Sequence, residues 1–254
     1  MLGLMVLLAA CAGTPEPAQD LNQSAWGAQT QLPAESAAGG SSGWRQRAFP
    51  GKSATVYRAA LKNGRAALSA RATQSASMMQ HRMRIAPQAL GRLAFSWYVP
   101  ALIDGADMAR RDADDSPVRV VLAFDGDRSR LSPRDAMLSE LAVALTGEPM
   151  PFATLMYVWC NQCPQEGVIT NPRTDRIRKI ALESGGGNLN RWLDYERDIR
   201  ADYQRAFGEA PGPLIGVALM TDTDNTRSDA QAWYGPLRLL PVAEPAQADV
   251  GSGG

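Results

Sequence analysis

The stretch "PLIGVALMTDTDNTRSDAQAWYGPLRLL", residues 213–240, decides the fold. An apolar run, 213–220, stops in a cluster of Asp, Asn and Thr, and an aromatic run, 232–240, leads away from it. Both runs are short, partly alternating and bounded by turn-forming residues, which is the pattern of strands. No helical period lies between them. Upstream, six more runs share the pattern: "ATVYRAAL" (54–61), "GRAALSARA" (64–72), "RLAFSWYV" (92–99), "VRVVLAF" (118–124), "ATLMYVW" (153–159) and "RIRKIAL" (176–182). Two segments read as helices. "SPRDAMLSELAVALTG" (132–147) offers Ser132 as N-cap, Pro133 at the first turn and Gly147 as stop, with Met137, Leu138, Leu141 and Leu145 on one face. "DYERDIRADYQRAFG" (194–208) puts Tyr195, Ile199, Tyr203 and Phe207 on one stripe, with Gly208 as stop. Two helices among eight strands do not make a βαβ alternation. The expected fold is therefore mostly β, an antiparallel, jelly-roll-like β-sandwich with two short helices. A doubly wound α/β fold is the weaker alternative.

The 254 residues are 45% hydrophobic and 20% charged, with a formal net charge of zero. Those values suit a globular domain, and the absence of a basic stripe speaks against a nucleic-acid partner. His81 is the single histidine, which excludes a multi-histidine metal site and disfavours a Ser-His-Asp triad.

The chain begins "MLGLMVLLAACAGTPEP". Its apolar segment is too short to span a bilayer as a helix and ends in small residues, as a signal peptide does. "LLAAC" resembles the lipobox of bacterial lipoproteins, which implies cleavage after residue 10 and acylation of Cys11. Ala12 follows the cysteine where some such proteins carry an Asp that retains them in the inner membrane. The expected location is the cell envelope, lipid-anchored at the outer membrane and facing the periplasm. Residues 11–43, rich in Pro, Gly, Ser, Ala and Gln, read as the anchor cysteine and a flexible tether, 44–240 as the β-sandwich domain, and 241–254 as a disordered tail.

The acidic stretches are the candidate chemistry. Asp222, Asp224 and Asn225 supply hard oxygens, but the EF-hand pattern fails: counting from Asp222, position six is Arg227 and position twelve is Trp233. No cofactor is called for, and calcium is the one ion that a looser version of this loop would suit. The alternative is a turn whose acids pair with backbone N–H groups and arginine. "RDADDS" (111–116) carries Asp114 and Asp115 just before a strand, where they would meet Asp222 or Asp224 at one rim or pair with a neighbouring arginine. Glu196 falls in the second helical segment. Trp97, Tyr98, Trp159, Trp192 and Trp233 either fill the core or line a ligand platform.

"VWCNQCP" (158–164) is a lone C-x-x-C. The helix that a thioredoxin-like motif requires does not follow it, so Cys160 and Cys163 read either as a local disulfide, which the oxidising compartment of an exported chain allows, or as plain thiols. His81 reads as a surface or sheet-edge residue. Ser75 and Ser77 read as strand and turn hydrogen-bonding groups.

"SAS" (75–77), "SWYV" (96–99), "DADDSPVRVVLAF" (112–124), "LMYVW" (155–159), "RWLDYERDIRADYQRAFGEAP" (191–211) and "VALMTDTDNTRSDAQAWYGPLRL" (217–239) together resemble the bacterial DUF3047 family, which has no established activity. Where many members read Tyr-Gly-Asp near the end, Pro236 follows Tyr234 and Gly235 here. The layout is also similar to the sandwiches of carbohydrate-binding modules, a fold-level analogy. The function expected is ligand binding at the envelope, of a glycan or another envelope component, through Trp97, Asp114, Asp115, Trp192, Glu196, Asp222, Asp224 and Asn225. No residue is assigned a catalytic role and none a metal. The alternatives are a glycan hydrolase using two opposed carboxylates and an assembly lipoprotein with no small ligand.

Overall fold

The computed structural model describes residues 20–33 and 43–242. The expected signal peptide, Cys11 and nearly all of the 241–254 tail lie outside the described residues.

In chain order the strands are β1 (Trp44–Ala48), β2 (Val56–Lys62), β3 (Arg65–Thr73), β4 (Ala76–Ile85), β5 (Arg92–Tyr98), β6 (Ser116–Phe124), β7 (Ala153–Cys160), β8 (Val168–Thr170), β9 (Ile177–Ser184), β10 (Trp192–Asp198), β11 (Leu214–Asp222), β12 (Asp229–Tyr234) and β13 (Arg238–Leu240). Three helices join them: α1 (Ala25–Gln29), α2 (Pro133–Thr146) and α3 (Ile199–Phe207). One sheet runs β1-β4-β11-β6-β7-β9-β8, and the other runs β10-β5-β12-β3-β2 with β13 also on β5. All pairs are antiparallel except β7 with β9, so the expected sandwich is mixed at that one place. Period-two alternation makes the core. Leu93, Phe95 and Trp97 of β5 point inward with Val120 and Leu122 of β6, Leu155 and Tyr157 of β7 and Leu219 of β11, and Phe95 stacks on Tyr157 across the sheets at 5.5 Å.

Four expectations need correction. The tether expected over 11–43 is folded at 20–33: Asn22 accepts from the Trp44 backbone N–H at 2.7 Å, α1 packs against β2 and β3, and Trp26, 1% exposed, enters the core beside Trp44. A polar, small-residue composition hid one buried tryptophan. The second helix starts later than expected. Residues 192–198 form β10, and α3 begins after Asp198, whose side chain accepts from Ala201 N–H at 2.9 Å. A true N-cap in mid-segment ended the strand, while the spacing of Tyr195 and Ile199 imitated a helical stripe. His81 is neither at the surface nor at an edge. It lies in β4, an interior strand that shows little β-branching, and packs edge-on against Trp44.

The fourth correction concerns α2. Its caps form as expected: Ser132 Oγ accepts from Asp135 N–H at 3.1 Å, Asp135 accepts from Ser132 Oγ at 2.7 Å, and Gly147 is left-handed at φ 77°. Its apolar face, however, is turned to solvent, while Asp135 and Ser139 are buried. Asp135 accepts from Thr174 just before β9, Ser139 accepts from Arg128, and Glu148 past the other end pairs with Arg47 of β1 and Arg82 of β4. A fourteen-residue helix is about 21 Å long. The four strand spacings from β9 to β4 are about 19 Å. Hence α2 lies across the outside of the seven-stranded sheet. The 99–115 connection covers another part of that side, with Met108 packed among Val158, Cys160 and Ala181. Of the two readings open for Cys160 and Cys163, the disulfide is the one formed.

Candidate functional site

Two regions collect the polar and aromatic candidates. The first is the corner where β11 ends and β6 begins. Asp222 is 3% exposed. Its Oδ1 accepts from Ser116 N–H at 3.1 Å and Arg119 Nε at 2.8 Å, and its Oδ2 accepts from Arg119 Nη2 at 3.0 Å. Arg119 also donates to the backbone carbonyl and a carboxylate oxygen of Asp114, at 2.8 and 3.1 Å. The Lys179 ammonium, buried on β9, sits 2.6 Å from both Asp114 oxygens and donates to the Met108 carbonyl at 3.3 Å. Asp115 caps the next loop, accepting from the backbone N–H groups of Asn225 and Thr226 at 3.3 and 2.7 Å and from both of their side chains. Asp224 pairs with Lys52 at 2.5 Å.

Burial dominates the electrostatics. It pushes the Asp222 carboxyl up to about 6, with Arg119 opposing and the neighbouring aspartates adding to it. Burial, and then Arg119, push the Lys179 amine down to about 8 against the pull of Asp114. Burial also opposes ionisation of Asp114, but Arg119 and Lys179 outweigh it and hold that carboxyl below its usual range. Both alternatives read for the 111–116 stretch are thus present: Asp114 pairs with Arg119, and Asp115 comes close to Asp222 and Asp224.

Oxygens of Asp115, Asp222 and Asp224 lie within 4.8 Å of one another, the one such cluster of potential metal ligands among the described residues. Both oxygens of Asp115 and of Asp222 already accept from N–H or O–H groups, and Lys52 meets Asp224. A cation would have to displace an arginine, a lysine or loop backbone. The arrangement pins the 99–115 connection and the 222–228 loop to β6 and β9. It does not oppose two carboxylates across a cleft, as a hydrolase needs. Glu196 stands apart on β10, paired with Arg92.

The second region is the outer side of the six-stranded sheet. Registers align Trp192, Tyr98, Trp233, Ser69 and Arg58 in a row across β10, β5, β12, β3 and β2. Tyr98 meets Trp192 and Trp233 edge-on at 5.9 and 5.6 Å. The β2–β3 hairpin turns on Asn63-Gly64, both at positive φ (51° and 78°), as a tight two-residue hairpin requires. The hairpin bends over the sheet. Lys62 Nζ lies 4.3 Å from the Tyr98 ring centre and 4.2 Å from that of Trp233, and the Lys62 carbonyl accepts from Trp192 Nε1 at 3.1 Å. Arg65 reaches Asp194 of β10 at 2.8 Å. The row continues into a groove of about 490 Å³ lined by Ala54, Val56, Arg58, Ser69, Arg71, Thr73 and Gln231.

Trp192 lies on this face. Trp97 does not: it points inward, fully buried between Phe95 and Tyr195, and offers no surface to a ligand. The Asn225 amide is committed to Asp115 and the Asp114 carbonyl. Sequence reasoning named Tyr98 and Trp233 only as ambiguous and passed over Arg58, Lys62, Ser69, Arg71 and Gln231. Alternation in "AQAWY" (230–234) does place Gln231 and Trp233 on one side; which strands adjoin them needs the sheet order.

A family model described as "Protein of unknown function (DUF3047)" matches residues 42–238. No curated protein matches the chain. Among solved structures, endoglucanase 3 of Trichoderma harzianum, from family GH12, is similar over 80% of this chain and 92% of its own, at 10% identity and a TM-score of 0.42. The xyloglucanase domain of NopAA, a type three effector from Sinorhizobium fredii solved with cellobiose, is similar over 78% and 92%, at 8% identity and a TM-score of 0.41.

Proposed function

The chain belongs to the DUF3047 family, and we propose that it is an envelope lipoprotein, held through acylated Cys11, whose domain binds a glycan along the open side of the six-stranded sheet. One observation carries the reading: partly exposed Trp192 and Trp233, joined through the buried Tyr98 between them, run directly into a groove lined by arginine, glutamine and hydroxyl groups. Sugar rings present C–H faces that pack on aromatic rings and hydroxyls that bond to guanidinium and amide groups. A shallow groove crossing several strands suits an extended chain. The Lys62 ammonium sits over two of the rings and would move aside or bond a sugar hydroxyl.

The test is a titration of intrinsic tryptophan fluorescence with solubilised peptidoglycan fragments and, separately, with linear glucan oligosaccharides. Saturable binding of one class is expected, weakened about tenfold in Trp233→Ala through lost stacking. Wild type that binds neither class, or an affinity unchanged by Trp233→Ala, refutes the reading. The anchor is checked apart from this: Cys11→Ser should move the protein from the membrane to the soluble fraction, and mass spectrometry should find acyl chains on Cys11.

A further inference from the structure

We propose that α2 is a second membrane contact, which seats the seven-stranded sheet toward the lipid surface and leaves the open side of the other sheet facing away. The inference rests on the proposed anchor at Cys11. Its observation is the inverted helix. Met137, Leu141, Val143 and Leu145 are 62, 54, 45 and 61% exposed, while the residues turned inward include Asp135 and Ser139. Met137, Leu141, Ala144 and Leu145 follow the i, i+4, i+7, i+8 spacing of one helical stripe. Arg134 flanks the stripe with no carboxylate partner among the described residues and exposed Glu140 lies along its edge, so the contact rests on the apolar side chains rather than on charge.

The occupant follows from where the anchor enters. Eight residues separate Cys11 from Asp20, where the described fold begins, and the nine steps between the two reach at most about 32 Å. That entry point is tied to the start of β1 by the bond between Asn22 and Trp44. Three residues along β1, roughly 10 Å, Arg47 pairs with Glu148 at the end of α2. Anchor and stripe therefore share one strand as a reference, and the lipid surface lies within reach of both. An apolar helix face lying in the headgroup region needs no other partner. Because α2 lies across the outside of one sheet, the aromatic groove on the outside of the other points away from the bilayer.

The test uses the full chain in vesicles of phosphatidylethanolamine and phosphatidylglycerol. An environment-sensitive fluorophore is placed through Leu141→Cys, Leu145→Cys or Glu196→Cys; wild type supplies the background, since Cys160 and Cys163 are paired. Emission at 141 and 145 should shift to the blue and be quenched by a lipid-borne quencher several-fold more than at 196. Leu141→Glu with Leu145→Glu, added as soluble protein to preformed vesicles, should co-sediment at least about tenfold less than its parent. Labels at 141 and 145 that stay water-like, on protein whose Cys11 acylation is confirmed by mass spectrometry, overturn the proposal. So does a blue shift that depends on protein concentration without lipid, since a second copy would then cover the stripe. If Cys11 proves unacylated and the labels still shift on added vesicles, the anchor reading fails and the helix contact stands.

Discussion

Asp114→Ala tests whether the acidic corner is a structural pin. The substitution strips Lys179 of both its carboxylate contacts and removes one charged bond from Arg119. The lysine limits the damage by giving up its proton. In the wild type its amine titrates at about 8, so at pH 7 it is charged. Without Asp114 the folded-state value falls further, and losing the roughly one unit by which it stands above pH 7 costs up to about 1.4 kcal/mol. The lost hydrogen bond to a charged group adds about 1.5–3 kcal/mol. The expected total, about 3–4 kcal/mol, is a large share of the roughly 5–15 kcal/mol that holds a domain together. The pH dependence identifies the cause. A lysine with a depressed folded-state pKa binds fewer protons folded than unfolded between that value and about 10.4, so stability rises with pH across that window. Between pH 7 and 8 the variant should gain about 1.3 kcal/mol, and the wild type only about 0.3 kcal/mol, because its folded lysine is still largely protonated there. Urea denaturation at both pH values, followed by near-ultraviolet circular dichroism, reads both effects. A loss under about 1 kcal/mol at pH 7, or a variant as flat as the wild type between pH 7 and 8, refutes the reasoning.

Other outcomes follow from the same contacts. Asp224→Ala should cost about 1 kcal/mol or less, since its partner Lys52 is half exposed, and scanning calorimetry should find the same loss in chelator and in millimolar calcium; a melting temperature raised many degrees by calcium in wild type alone would make the corner a metal site. Trp26→Ala should cost about 3–5 kcal/mol and expose residues 20–33 to protease, whereas a free tether would leave the stability untouched. Replacing Cys160 and Cys163 together by Ser should leave a folded domain, destabilised by less than about 3 kcal/mol because the closed loop is short. Thiol-disulfide exchange activity in the wild type, absent from that double variant, would count against a purely structural bridge.

Strands rich in aromatic and β-branched residues were legible because their alternation is written in apolar side chains. β6, β7 and β11 stand close to where "VRVVLAF", "ATLMYVW" and "PLIGVALM" place them. β4 was missed although it alternates, because Met79, His81 and Met83 face inward opposite Gln80, Arg82 and Arg84, and neither set is typical of its side. α2 was placed correctly, but which of its faces is buried was not legible. Caps are local and readable; which face of a helix is buried is decided by what lies beneath it, and there Thr174 and Arg128 hold polar residues down. That Asp114 approaches Asp222 was one of two readings open from acidic stretches beside strands, whereas Lys179, far off in sequence and placed by the β7–β9 pairing, was not legible at all.

The two polar regions differ in what their groups are already doing, and that difference separates structure from binding. A buried carboxylate whose oxygens each accept from a fixed donor gains nothing from a ligand that must first break those bonds. Asp115 and Asp222 are in that state, and Asp114 is held by two cations. Their charges are the means by which a long connection is fixed to one orientation on the outside of a sheet. On the other sheet, Gln231, Arg71 and Thr73 are exposed beside partly exposed Trp233, and the cation over the Trp233 and Tyr98 rings is the flexible Lys62, while Arg65 lies over Trp192. Acid-rich sequence therefore marks the rigid corner of this protein. The side able to exchange its partners is marked instead by alternating aromatic and polar residues on β12 and its neighbours, and by an outer sheet side that stays exposed at Arg71, Thr73 and Gln231 beyond the tip of the β2–β3 hairpin, opposite a sheet that α2 and the 99–115 connection cover.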